Sequence, residues 1–240
     1  MYLFILILVI GLTLIFPVLE ILRKIKKEPP SLITEQVKVR SYTHTIAWGW
    51  GKALVVLVLC LFAGISFYDV GLRGISLHQN IWFTSITLIL CGLFFVVNIC
   101  CMIAYLLSSK YRKGEHEQLA KNKAETWKEI LSPRSKKEKT YFFFVSLTAG
   151  VSEEFVFRGV LFFLLQAVFP TMSMPLILVV ASAIFGIAHT YQGMRGIVRT
   201  GITGAMFGAL FLVTGSLIPG MVLHFIIDFE AAFQLSESGE

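Results

Sequence analysis

The chain has 240 residues, 56% of them hydrophobic and 13% aromatic, with a mean hydropathy of +0.76. Such a composition excludes an ordinary soluble globular domain and predicts a polytopic membrane protein. The net charge of +6 does not point to nucleic acid: Lys and Arg collect between apolar runs, where such residues set topology and touch anionic lipid headgroups, and no nucleic-acid motif accompanies them.

The first apolar run, about residues 2–22, is long enough to cross a bilayer. It lacks the cleavage site and polar sequel of a secretory signal. Arg23-Lys24-Ile25-Lys26-Lys27-Glu28-Pro29-Pro30 opens a polar loop after it. A second span is predicted over about 46–68, with Trp48 and Trp50 as interfacial anchors. A short polar segment, Asp69 to Asn80, carries Arg73 alone, and an uncharged third span follows over about 82–107. Cys60, Cys91, Cys100 and Cys101 all lie in apolar stretches without metal-ligand spacing, so they read as small buried hydrophobes.

Ser108 to Lys139 is the longest polar region, with helix-forming composition between Glu115 and Leu131. Leu119, Trp127, Ile130 and Leu131 would suit an interfacial helix; a solvated loop helix is the alternative. A fourth span is predicted over about 140–168. Pro170 and Pro175 bracket the turn into a fifth, about 175–191, and a sixth covers about 197–213, where Gly201, Gly204 and Gly208 form a face suited to close helix packing. Gly215 and Pro219 mark the turn into a seventh, about 218–234. The predicted fold class is therefore all-α, a transmembrane bundle of about seven spans. Lys and Arg number six in the first loop, one in the second, ten in the third, none in the fourth and two in the fifth. This alternation predicts cytoplasmic odd loops, an outer N-terminus and a cytoplasmic C-terminus in a multi-pass protein of the cell membrane.

Charges inside apolar runs are costly and usually functional. Span four carries Glu153, Glu154 and Arg158, with Tyr141 to Ser152 and Gly159 to Ala188 uncharged on either side. On a helix Glu154 and Arg158 are at i and i+4 and can pair. Glu153 points about a hundred degrees away, toward something else. His189 ends span five with Phe185 one turn before it, and span seven holds His224 and Asp228 at i and i+4. A rise of about 1.5 Å per residue brings these groups to overlapping depths in the inner half of the bilayer, so three spans can share one polar cavity. An ion-pair network that only locks helices together is the structural alternative.

Glu-Glu-x-x-x-Arg followed by Gly159, then Phe-x-x-x-His, then His-x-x-x-Asp, on successive apolar segments over roughly 140–230, resembles the CPBP (Abi) family. That family comprises type II CAAX prenyl endopeptidases and bacteriocin-processing or immunity membrane proteins. The resemblance implies an intramembrane endopeptidase: residues 1–139 would be N-terminal helices with basic cytoplasmic loops, 140–235 the catalytic membrane core and 236–240 a polar tail. It further implies that Glu153 activates a water with help from His189, that His224 and the residue four later, Asp228, stabilise the oxyanion, and that Glu154, Arg158 and Phe185 support the site. Family members commonly carry Asn where this chain has Asp228. An ionised Asp228 would repel an oxyanion, so it either carries a proton or only orients His224.

No cofactor is expected. The alternative is a divalent metal such as zinc on Glu153, His189 and His224, a ligand set that would also activate water, although the His-Glu-x-x-His arrangement is absent. Expected partners are membrane lipids and a peptide or membrane-protein substrate, lipidated or not. A non-catalytic immunity or scaffold protein and a proton-coupled transporter are the competing classes; no internal repeat of the transporter kind is apparent.

Overall fold

A computed structural model describes residues 1–26, 33–107 and 130–236. The helix expected between residues 115 and 131 falls almost wholly outside the described residues, as do residues 27–32 of the first loop and the last four residues. Among the described residues the chain is all-α, with seven helices and no strand. They are α1 (Tyr2–Lys26), α2 (Glu35–Phe62), α3 (Ile81–Leu107), α4, α5 (Met174–Ala188), α6 (Gly193–Thr214) and α7 (Ile218–Ser236). α4 runs as an α-helix over Lys136–Glu153, passes through a π-helical segment, Glu154–Leu161, and resumes as an α-helix over Phe162–Val168.

α2 begins earlier than the hydropathy suggests, inside what reads as polar loop. Thr34 caps it, its hydroxyl accepting the Val37 amide at 3.4 Å, and Glu35 complements the helix N-terminus. The helix also stops at Phe62, before residue 68. Ser135 caps α4 by accepting the Glu138 amide at 3.1 Å, while the Glu138 carboxylate takes the Arg134 amide at 2.5 Å and faces Lys38 at 3.6 Å. Lys38 donates to the Ser132 carbonyl at 2.7 Å, and both members of the pair are buried. Residues counted above as loop charges thus weld the start of α2 to the start of α4.

From that weld the two helices run parallel at a nearly constant offset. Tyr42 packs edge-on against Phe142 at 5.5 Å. Gly49 faces Thr148 and Ser152 so closely that a Cβ there would lie 2.6 Å from Thr148 Cγ2. Lys52 reaches the Phe157 ring at 5.5 Å. α7 covers a second side of α4: a Cβ on Gly150 would lie 2.8 Å from the Met221 carbonyl oxygen. α5 and α6 pack on each other through Gly186 and Gly201, and Gly204 and Gly208 make room for Phe185, Arg158, Leu178 and Phe162. The small-residue face of α6 is thus used along its length.

Residues 63–80 are more than a polar connection. Val70 and Ile65 are buried, and the segment bonds across the α6–α7 turn: Ser76 N–H to the Thr214 carbonyl, His78 N–H to Val213, Leu217 N–H to Gly71 and Arg73 Nε to the Gly215 carbonyl. The left-handed Gly215, φ 61°, ends α6 and permits that turn. Gly159 lies beneath the strap, where a Cβ would be 2.7 Å from the Val70 carbonyl. Hydrogen bonds from the Ser66 hydroxyl and amide hold the exposed Asp69 carboxyl below its ordinary pKa and tie the start of the strap.

Polarity is distributed inside out. Arg158 and Glu154 are each 1% exposed, whereas Leu61 is 60%, Ile202 65% and Trp82 77% exposed. By length and hydropathy two helices among the described residues qualify as membrane spans, Glu35–Phe62 and Thr190–Thr214; Tyr2–Ile15, Ile81–Val97 and Met174–Ala188 are shorter apolar stretches. The expected seven spans therefore correspond to seven helices, two of which meet the test. The α4 and α7 sequences carry the charges that lower their hydropathy, and α5 has only 15 residues.

Candidate active site

α4 is the floor of the polar cluster. The π segment begins at the second glutamate, so the α-to-π junction falls between Glu153 and Glu154. Hydrogen bonding of the i→i+5 kind is rare and concentrates at functional sites. Glu154 Oε1 accepts from Arg158 Nη1 at 2.8 Å and bonds His224 Nδ1 at 2.8 Å. Arg158 Nη2 donates to the Gly204 carbonyl at 3.3 Å, and its guanidinium lies 4.2 Å above the Phe185 ring and 5.5 Å from Phe207. Glycine is required around this pair. A Cβ on Gly204 would lie 3.3 Å from Arg158 Nη2, and one on Gly220 3.0 Å from Glu154 Oε2.

Glu153 faces the other way. Its Oε2 lies 3.8 Å from His189 Nε2 and 3.9 Å from His224 Nε2, and it is buried with no hydrogen-bond partner among the described residues. Separations of this size are too long for a direct bond and suit a shared water. His189 caps the C-terminus of α5, where its Nδ1 meets the Phe185 carbonyl at 2.8 Å. A carbonyl only accepts, so Nδ1 carries the hydrogen and a neutral His189 turns its Nε2 lone pair toward Glu153. Phe185 also stacks obliquely on the imidazole, centroids 4.6 Å apart.

His224, on α7, lies flat on Phe207 at 5.2 Å. Asp228 Oδ2 is 3.6 Å from its Nε2, beyond hydrogen-bond length. Glu154, not Asp228, therefore holds the ring. With Nδ1 engaged by Glu154, His224 can donate through Nε2 only when both nitrogens carry hydrogen. All seven residues singled out in the sequence, Glu153, Glu154, Arg158, Phe185, His189, His224 and Asp228, fall in this one cluster, with Asp228 at its rim and half-exposed.

Sequence reasoning missed two members. Lys52 projects from α2 and lies close enough to Glu153 for their charges to act on each other. Its signal was readable, since it is a single cation inside an apolar run. Phe207 had no such signal: its stacking on His224 depends on how α6 meets α7. No group of three or more His, Cys, Asp or Glu side chains among the described residues is arranged to hold a metal ion. The three donors of the zinc alternative, Glu153, His189 and His224, are nonetheless neighbours, with the two Nε2 atoms 3.8 and 3.9 Å from Glu153 Oε2.

Residues 137–229 match the family model described as type II CAAX prenyl endopeptidase Rce1-like, the family type that the three motifs resemble. No curated protein and no solved structure matches the chain.

Proposed function

We propose that this chain, which bears an Rce1-like segment over residues 137–229, is an intramembrane endopeptidase that hydrolyses a peptide bond near the cytoplasmic face. The observation that carries the reading is Glu153 Oε2, buried, unbonded and flanked by two imidazole nitrogens at 3.8 and 3.9 Å.

A water between Glu153 Oε2 and His189 Nε2 has two acceptors for its two hydrogens, which leaves an oxygen lone pair for the scissile carbonyl. Glu153 takes one proton as general base. Attack forms a tetrahedral oxyanion, to which a doubly protonated His224 donates Nε2–H. Donors fixed before reaction are commonly the largest electrostatic contribution to such a step. Glu154 and Phe207 fix the His224 ring, and Arg158 fixes Glu154. Collapse of the intermediate breaks the C–N bond, with the proton held by Glu153 passing to the departing amine. Asp228 faces His224 Nε2 at 3.6 Å and balances the imidazolium rather than touching the oxyanion.

The exposed apolar girdle supports a multi-pass protein in the cell membrane, with the N-terminus outside, the C-terminus in the cytoplasm, and residues 140–235 as the catalytic core behind an N-terminal helical part. The substrate is a peptide or membrane protein entering from the lipid phase, with or without a lipid tail. Purified protein in lipid nanodiscs, given a fluorogenic lipid-tailed peptide library with and without a strong chelator, tests this. The reading expects cleavage that survives chelation; cleavage lost on chelation and restored by metal would replace the metal-free mechanism.

A further inference from the structure

α3 packs on α6 and α7, and Cys91 Sγ meets the Met206 carbonyl of α6 at 4.0 Å. Between that contact and the start of α6 lies a cleft of about 470 Å³, with Phe94 on one wall and Met194, Arg195, Val198, Arg199 and Ile202 on the other. Steps of three and four residues put Arg195, Val198, Arg199 and Ile202 on one face of α6. That face is turned outward: Met194, Val198 and Ile202 are each more than half exposed, and both arginines are exposed as well. Neither arginine forms a hydrogen bond or an ion pair among the described residues. Asp228 on α7 is close enough to Arg199 for their charges to act on each other, but its Oδ2 already faces His224 Nε2 at 3.6 Å.

Two guanidiniums beside an open apolar floor call for a ligand with an anion at one end and hydrocarbon at the other. An acidic peptide would satisfy the arginines and leave the floor bare, and a neutral lipid would do the reverse. Along the helix Arg195 and Ile202 are about 10 Å apart. The interfacial layer of a bilayer is only about 5–8 Å deep on each side, so a guanidinium at headgroup level places Ile202 among acyl chains. The planar fork of arginine matches phosphate oxygens with paired hydrogen bonds, and basic pockets between membrane helices on the cytoplasmic side suit anionic headgroups. The floor is what separates this pair from other loop-end cations: Arg40 and Lys136 are also exposed but do not line the cleft.

We propose that the α3–α6 cleft binds an anionic phospholipid of the cytoplasmic leaflet, with its phosphate on Arg195 and Arg199 and an acyl chain between Phe94 and the face formed by Val198 and Ile202. The site adjoins the polar cluster where Arg199 approaches Asp228, so the headgroup sets the charge at the rim of that cluster. The choice of leaflet rests on the proposed topology. Nothing in the site depends on peptide cleavage, so lipid binding and the peptidase reading stand or fall separately.

The experiment gives purified protein in detergent either phosphatidylglycerol or phosphatidylcholine with the same acyl chains, and follows retained lipid by native mass spectrometry. Phosphatidylglycerol is expected to bind at least about ten-fold more tightly, the worth of one charge-assisted contact. Replacing both cleft arginines, Arg195→Gln with Arg199→Gln, should bring the ratio to near one. Replacing two exposed cations outside the cleft, Arg40→Gln with Lys136→Gln, should leave it as it was. Ile202→Trp fills the floor, keeps both guanidiniums and should weaken phosphatidylglycerol at least several-fold. A ratio near one in the wild type, which needs no variant to fold, overturns the proposal. Equal loss in the two double variants also overturns it, since the attraction would then be diffuse. Binding that Ile202→Trp leaves unchanged and glycerol phosphate displaces would make the ligand a soluble phosphate instead. A dimer that forms without lipid and that Ile202→Trp breaks would give the cleft to a second copy of the chain, and the lipid site would be withdrawn.

Discussion

Two adjacent glutamates have different partners because the helix turns between them. Glu154 is enclosed by an arginine and a histidine, and Glu153 looks into the space between two imidazoles. Removing a partner from the buried pair leaves a charge uncompensated, so Arg158→Met and Glu154→Ala should each lower stability by about 3–5 kcal/mol, read as reduced melting temperature and yield in detergent. Wild-type thermal stability in both would contradict the pairing. His189→Ala removes one acceptor of the proposed water and should cut kcat by about 10²–10⁴ while melting stays near wild type. The pairing of Glu154 with Arg158 was legible from residue spacing, since the two are one turn apart. The bond from Glu154 to His224 was not, because seventy positions separate them and the link depends on α7 crossing α4 at Gly150 and Gly220. For the same reason spacing left the Asp228 contact open: at 3.6 Å its Oδ2 faces His224 Nε2 without a hydrogen bond.

At the scale of elements, the site exists because α4 is approached closely on several sides. Gly150 admits α7, Gly159 admits the strap and Gly204 admits the arginine and phenylalanine beneath α6. Gly150→Leu would drive a side chain into the α7 backbone, where a Cβ already comes within 2.8 Å of the Met221 oxygen and 3.0 Å of the Phe225 nitrogen. It should cost about 1–3 kcal/mol or more through overpacking and displace His224, so activity should fall further than stability; unchanged kinetics would show that α7 does not position the imidazole. Hydropathy located the helices well where they are apolar throughout, as in α3; at α6 the helix starts earlier and takes in Arg195 and Arg199. It failed where polar residues are buried by partners: the start of α2 looked like loop because Lys38 appears solvated until Glu138 and Ser132 meet it. It failed again at residues 63–80, whose backbone is satisfied by the α6–α7 turn rather than by water. The π segment was invisible, since nothing in Glu154–Leu161 distinguishes i→i+5 from i→i+4 bonding.

Among the described residues, the charges within the bundle at Glu154 and Arg158 are hidden and large apolar side chains are displayed, the arrangement a bilayer selects. Composition showed this at once, and the asymmetry of Lys and Arg between loops adds a direction to it. Single-cysteine labelling in a cysteine-free background should find a position in 63–80 open to an impermeant reagent from outside, and one in 130–135 open only after permeabilisation; the opposite pattern would invert the proposed topology. The central claim, that Glu153 activates the attacking water, is tested most directly by peptide cleavage with wild type and Glu153→Gln at equal folded concentration. A loss of at least about a hundred-fold in kcat, with substrate binding and melting temperature retained, is the predicted result; cleavage by Glu153→Gln at the wild-type rate would contradict it.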